Sequence, residues 1–471
     1  MIQHYNDLHA KLYAGDLDEC FRFLDERRAA DGNSAEHWHW RAVTHLRAGQ
    51  FLQALDICFM LTRQSDSFAF QIHCLADACA HLGLREVALA GIESFAQKPS
   101  TAPIAAYLWR VYGWHYLGED DRVLQLAPDG LDEHSAYVLG HHQARSRMRR
   151  DGIAQGVEAM HRYWSSDDAR RVLYPDIDRA GYWTGQRALP ARMTVRLVAS
   201  GYGDLANWAR YIGALQGMGV HVDYDADLFR VAMPESEQAD MARAMHAAGF
   251  VSPSGEGEMW TDPFSLFTSL FPVLGYAPSH RYIEPADPSS VDALVDRIWH
   301  RARGRRCVGV FWSSCESANN FAGRSLCLPE LDPLLDSASD VYWVIMQRGA
   351  ERQRWLNDPR SADLNRFTTV DADMSFSEAA ALIDRLDAFV GNDGGLSHIA
   401  GALGKRTCMF LNQVAEWRYE REATTTPWYP GMRLVRAREL GGWGEVVGAL
   451  QRVLGTDARQ ASALSVSAQP S

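Results

Sequence analysis

Four segments of the chain carry residue types able to do chemistry. The run Asn392-Asp393-Gly394-Gly395-Leu396-Ser397-His398 lies between a strand-like stretch, Ala388–Gly391, and a helix-like one, Ser397–Leu403. Consecutive glycines let a ligand approach the backbone. Exposed amides and the positive end of a helix favour an anion, phosphate above all. Ser397 and His398 add side-chain donors. The competing reading is a plain turn with His398 in the core, and spacing alone does not separate the two. Arg324 and Ser325 lie in a loop after Trp312, where an arginine either grips phosphate through two parallel hydrogen bonds or is solvated. Gln347-Arg348-Gly349 follows the strand-like Val341–Met346 at the edge of the same cleft, or is an ordinary turn. Asp204 ends the turn Gly201-Tyr202-Gly203-Asp204. It reads as a helix N-cap or, facing an acceptor hydroxyl, as a general base. Asp371-Ala372-Asp373 has the form of a metal-binding pair but precedes Met374-Ser375-Phe376 and a helix, so it reads as capping.

These segments need a scaffold that brings loops together. Met193–Ser200 reads as a strand, Leu205–Met218 as a helix and Gly219–Asp223 as the next strand, the opening of a doubly wound parallel sheet. Asp287-Pro288-Ser289-Ser290 and a helix at Val291–Arg303 cross into a second unit. There Cys307–Trp312, Val341–Met346, Ala388–Gly391 and Thr407–Leu411 read as strands. Two Rossmann-like lobes bind ligands in the cleft at the carboxyl ends of their strands, which is where all four segments fall.

The first third differs. Gly15, Gly49, Gly83, Gly118 and Gly152 are spaced 34, 34, 35 and 34 residues apart. Small or apolar residues (Cys20, Ala54, Ala88, Val123, Val157) follow each by five positions. Leu8, Ala42, Ala76 and Val111 precede the first four by seven. A glycine at the turn between antiparallel helices, repeated at this period, is the tetratricopeptide pattern. A stacked solenoid offers a concave surface, for a peptide or protein partner or as a spacer or dimerisation arm.

Composition bounds the rest. A chain of 471 residues, at roughly 100–200 per domain, makes two to four domains. With 47% hydrophobic and 23% charged residues it is globular. Its net charge of −12 gives no overall pull toward nucleic acid or anionic membrane. No stretch reaches membrane-span length, and the first residues do not read as a signal peptide. The eight cysteines form no CxxC pair, pointing to reduced thiols in the cytoplasm. No metal site is expected, at His37/His39, at His141/His142 or elsewhere. The expected organisation is a helical repeat region over 1–165, an α/β lobe over 166–295, a second over 296–455 and a disordered tail over 456–471.

The block from Asn392 through Ile399-Ala400-Gly401-Ala402-Leu403-Gly404-Lys405 resembles the phosphate-loop motif of GT-B glycosyltransferases, shared by heptosyltransferases and bacterial tetratricopeptide-repeat relatives of O-GlcNAc transferase. Trp417-Arg418-Tyr419 and Pro427-Trp428-Tyr429-Pro430-Gly431-Met432-Arg433-Leu434 resemble tail motifs of the repeat-bearing group. Tyr182-Trp183-Thr184-Gly185, the Gly-Tyr-Gly-Asp turn and Arg324-Ser325 stand in that group's order. The resemblance implies an α-helical TPR-like solenoid followed by two Rossmann-like lobes, and an inverting transferase that needs no metal or cofactor. Its donor is a nucleotide-diphosphate sugar and its acceptor a protein or peptide hydroxyl at the solenoid. Gly394, Gly395, Ser397 and His398 would hold the diphosphate, with Arg324 and Gln347 in support and Ser325, Asp393 and Leu396 in the same site. Asp204 would be the base. The stretch Ser313–Phe321 departs from the group's pattern, losing a histidine and an aspartate, and Arg348 stands where the group often has lysine. Two alternatives follow: a non-catalytic scaffold, and a transferase acting on a glycan or lipid.

Overall fold

The computed structural model describes residues 8, 11–12, 16–31, 34–64, 71–98, 103–127, 129–165, 180–198, 200–253, 257–278, 280–314, 323–337 and 339–466. The first third is helical, with helices at Leu17–Asp31, Ala35–Arg47, Phe51–Gln64, Gln71–Leu82, Arg85–Ala96, Pro103–Tyr116, Asp120–Gln125, Glu133–Asp151 and Ile153–Ser165. Successive helices pack on one another. Among the repeat glycines, Gly49, Gly83, Gly118 and Gly152 all take positive φ (71°, 67°, 73° and 99°), which explains the residue type at each turn. Gly15 lies outside the described residues.

These turns have a second role that periodicity does not reveal. A Cβ on Gly118 would lie 2.9 Å from Val414 Cγ2, and one on Gly83 would lie 3.6 Å from the Leu440 carbonyl. Gly49 similarly faces the Arg354 guanidinium, and Gly152 faces Glu420. The row of turns is seated on the C-terminal lobe. Arg85 bonds Gln413 (2.8 Å), and Arg421 donates to the Gly118 carbonyl (2.9 Å).

The middle lobe holds β1 (Arg192–Val195), β2 (His221–Asp223) and β4 (Glu258–Thr261) in a parallel sheet of order β2-β1-β4. β3 (Phe229–Val231) and β5 (Ile283–Pro285) form a separate antiparallel pair. This is smaller than a full doubly wound lobe. The strand expected over Met193–Ser200 stops at Val195. After one further sheet bond, Arg196 N to the Thr261 carbonyl (2.8 Å), the chain leaves the sheet for the helix Tyr202–Gly217. Every residue from Leu205 to Leu215 in that helix is buried, so it is a central layer.

Among the described residues, the C-terminal lobe has six parallel strands: β6 (Arg306–Phe311), β7 (Val341–Ile345), β8 (Phe367–Thr369), β9 (Ala388–Asn392), β10 (Thr407–Leu411) and β11 (Met432–Arg436). Their order is β11-β10-β9-β6-β7-β8. Val308, Val310, Val344, Ile345, Val390 and Phe410 are fully buried, as a sheet covered on both faces requires. The order reverses between β6 and β9, the place where such sheets open a crevice at their carboxyl ends. The last helix, Trp443–Val466, extends through a stretch expected to be disordered; alanine, arginine, glutamine and leucine there are good helix formers. Among the described residues, no helix is long and apolar enough to cross a membrane.

Candidate functional site

β9 ends at Asn392, and Gly394 is the N-cap of the helix Gly395–Ala402. Gly394 has no side chain to cap that helix, and among the described residues the amides of Gly395 and Leu396 have no hydrogen-bond partner. Gly394 has extended backbone (φ −151°), so the reason for glycine is space. A Cβ there would lie 2.6 Å from Ser314 Oγ and 3.0 Å from Asn392 Oδ1. Ser314, just after β6, is thus held against the end of β9 at the point where the sheet order reverses. Ser325 Oγ joins this contact, accepting from Ser314 N (3.2 Å) and Asn392 Nδ2 (3.4 Å).

The turn carrying Asp204 meets this helix mouth. A Cβ on Gly203 would lie 3.0 Å from Gly395 Cα and 3.1 Å from His398 Cδ2. Two glycines therefore let the two turns touch. Asp204 is not the N-cap that its turn suggests: Gly201 takes that place, and Asp204, three residues into the helix, accepts from Gly201 N (3.0 Å). Its other oxygen is paired with Arg418. Arg418 also accompanies Glu416, whose Oε2 accepts from Arg418 N (3.2 Å) and lies 3.7 Å from Nε. The far oxygen of Glu416 is 3.1 Å from Arg145 of the helical region. A chain of alternating charge thus runs Arg145–Glu416–Arg418–Asp204. Burial pushes Glu416 up from the usual carboxylate range, against the pull of Arg418 and Arg145. Arg418 loses hydration by burial, but Glu416, Asp204 and Asp393 hold it firmly protonated.

Several side chains expected to face a ligand are engaged inside the protein. Ser397 Oγ donates to the Asn392 carbonyl (2.6 Å). His398 is 3% exposed, with Nδ1 2.9 Å from Tyr429 Oη and Nε2 3.2 Å from Asp393 Oδ1. Leu396 is buried. Burial pushes Asp393 up, but His398, then Arg418 and Arg324, outweigh it and hold the carboxyl below its ordinary range. Gln347 accepts from the amides of Trp312 and Ser313 (both 3.0 Å) and donates to the Ser313 carbonyl (2.7 Å), fixing the end of β6. These residues shape the loop; its backbone amides and Arg324 remain for an anion. Arg324 Nη1 donates to the Asp393 carbonyl (3.2 Å), while its buried Nε has no hydrogen-bond partner among the described residues.

Above the mouth sits Phe376, whose Cε1 would lie 3.6 Å from a Cβ on Gly395. Its ring is 4.7 Å from that of Tyr202, and the Arg348 guanidinium lies 5.1 Å from its centre. Asp371 and Asp373 are exposed. The cap of the following helix is Ser375, paired reciprocally with Glu378. Within Ser313–Phe321, residues 315–321 lie outside the described residues. Tyr182 is bound to the buried Asp262 and Ser265, a structural part. Sequence reasoning did not single out Arg418, Glu416 or Arg145 for a role at the base, because partners this far apart in the chain leave no spacing signal.

Residues 343–438 match the model of glycosyltransferase family 9 (heptosyltransferase). The match spans most of β7 through β11 and includes the helix mouth, so this part of the C-terminal lobe is similar to a glycosyltransferase domain. The chain is similar to protein FlbA of Caulobacter vibrioides, 22% identical over 324 residues, covering 64% of this chain and 52% of FlbA. It therefore spans about half the length of that relative. Among solved structures, it is similar to the glycosyl transferase family 9 protein of Veillonella parvula (10% identity, 54% of this chain, 88% of that chain, TM-score 0.33). It is also similar to a mutant O-GlcNAc transferase of Thermobaculum terrenum (12% identity, 97% and 91% coverage, TM-score 0.35).

Proposed function

We propose that this protein is an inverting transferase. It moves a sugar from a nucleotide-diphosphate sugar to the hydroxyl of a protein or peptide held along the helical region. The observation that supports the reading is the contact between Gly203 and Gly395, which brings the turn that carries Asp204 against the mouth of the helix Gly395–Ala402. Asp204 takes the proton of the acceptor hydroxyl as its oxygen attacks the anomeric carbon. The carbon–oxygen bond to the diphosphate breaks on the opposite face. The amides of Gly395 and Leu396 and the Arg324 guanidinium receive the departing charge, so the protein itself supplies the positive field. Phe376 and Tyr202 offer aromatic faces next to the mouth for the base or the sugar.

A glycan acceptor is the second reading, favoured by the heptosyltransferase description of the matched family. The test is incubation of the purified protein with a panel of nucleotide-diphosphate sugars, plus either a peptide library or lipid-linked glycans, read by mass spectrometry. A sugar-sized mass gain on peptide supports the proposal. Gain on glycan alone moves the acceptor to the second reading. Neither transfer nor donor hydrolysis with any donor rejects both.

A further inference from the structure

We propose that His81, Cys327 and Glu330 form a zinc(II) site that ties the helical region to the segment carrying Arg324. One ligand atom from each residue lies within 4.8 Å of the other two. Imidazole, thiolate and carboxylate together are the donor set of a borderline-soft dication. Cys327 immediately precedes the helix Leu328–Ser337 and Glu330 is in its first turn, so two ligands come from one short stretch. His81 comes from the last turn of the helix Gln71–Leu82, across the interface. A close pair with a remote third ligand is how a metal staples two parts of a fold.

The surroundings pre-orient the set. The His81 ring is stacked on Phe51 at 4.1 Å and 5°, which fixes its plane. Glu330 Oε2 accepts from Cys327 N (2.7 Å), while Oε1 lies 3.8 Å from His81 Nδ1. A tetrahedral zinc ion with bonds of about 2.0–2.3 Å holds neighbouring ligand atoms about 3.5 Å apart. Side-chain rotations that close the set by about 1 Å would complete it, with water in the fourth position. Burial, then Glu351 and Glu330, push the Cys327 thiol far up, while Arg354 opposes them. A dication reverses that balance: the sulfur binds as thiolate and its proton goes to solvent. Arg354, paired with Glu351, is the positive charge the ion must tolerate.

The consequence reaches the candidate donor site. Gly323, at the start of the same segment, donates to Asp77 of the helix that carries His81, and its carbonyl accepts from Asn412 Nδ2 (3.0 Å). Arg324 and Ser325 lie between that anchor and Cys327. A metal at Cys327 fixes the second end of the segment that holds Arg324 beside Asp393.

The test is a cobalt(II) titration of the full-length protein after removal of metals with chelator. One equivalent should bind with a sulfur-to-cobalt charge-transfer absorption and intense visible bands, and zinc should displace it. Cys327→Ser should abolish the charge-transfer band. His81→Ala and the near-isosteric Glu330→Gln should each weaken binding by more than about tenfold. Cys79→Ser, at a buried thiol of the helix that carries His81, should change nothing. Absence of a charge-transfer band in the folded wild-type protein, or its survival in Cys327→Ser, overturns the proposal. Both outcomes are independent of any sugar transfer.

Discussion

Arg418 and Asp204 stand 214 residues apart in the chain and form an ion pair between the C-terminal and middle lobes. The arginine side chain is 7% exposed and the aspartate 18%, so the pair is largely shielded from water. Removing the arginine leaves Asp204 and Glu416 without their shared cation. Arg418→Ala should cost about 3 kcal/mol in chemical denaturation, the penalty of stranding a buried charge. In whatever protein remains folded, kcat should fall about 10²-fold through loss of base orientation. Donor affinity should change far less, because Arg418 does not belong to the helix mouth.

Asp204→Asn keeps the shape and the bond from Gly201 N but removes the proton acceptor. Transfer should fall by at least about 10²-fold, while the donor dissociation constant measured by calorimetry stays within about twofold. Retained turnover would take the base role away from Asp204.

The two turns that meet at Gly203 and Gly395 are legible in the sequence because their signals are local: glycines after a strand, then helical spacing. Their partners are not. Arg145, Glu416 and Arg418 act through contacts between residues 271 and 214 positions apart, and no periodicity encodes those. His398 shows a different limit. A histidine after Gly-Gly is equally consistent with a ligand donor and with a buried tie, and only the Tyr429 hydroxyl and Asp393 carboxylate on its two nitrogens decide for the tie. The repeat glycines are legible as turns, but their seat on the C-terminal lobe is a tertiary fact. The expected first-lobe strand overran because an apolar run does not mark where the chain must leave the sheet.

Gly394→Ala tests the helix mouth directly. The added methyl carbon would come within 2.6 Å of Ser314 Oγ, so the loop after β6 or the helix start must shift. Stability should drop by about 1–3 kcal/mol. On the proposed reading, donor binding should weaken by about tenfold or more, since each shifted amide would lose part of its contact with the diphosphate. Gly201→Ala, where no atom lies within 4 Å and the backbone is extended, is the neutral comparison.

Asp393 gives the site a pH signature. Its folded-state carboxyl lies below the ordinary range, so it binds protons less readily folded than unfolded. The stability it contributes is complete above the unfolded carboxylate pKa of about 3.9 and is lost as pH falls through the lower folded value. Denaturation from about pH 5 down to about pH 2, a range that brackets the unfolded carboxylate value and reaches below it, should show the wild type losing stability toward acid more steeply than Asp393→Asn. Equal slopes would show that the His398 and arginine contacts do not stabilise the charged form.

The repeat turns allow strain and docking to be separated. Gly118 and Gly130 have nearly the same φ, 73° and 72°. A Cβ on Gly118 would press on Val414 at 2.9 Å, whereas one on Gly130 would meet nothing within 4 Å. Both alanine variants bear the left-handed backbone cost of about 1 kcal/mol. Gly118→Ala should lose about 1–2 kcal/mol more, because Val414 is buried in the cluster shared by the helices and the C-terminal lobe and cannot yield freely. Limited proteolysis should then cut between the helical region and the lobes sooner in Gly118→Ala than in Gly130→Ala. Identical stability and cleavage in the two variants would mean that the turn at Gly118 is held by its own helices, and that its contact with Val414 contributes nothing.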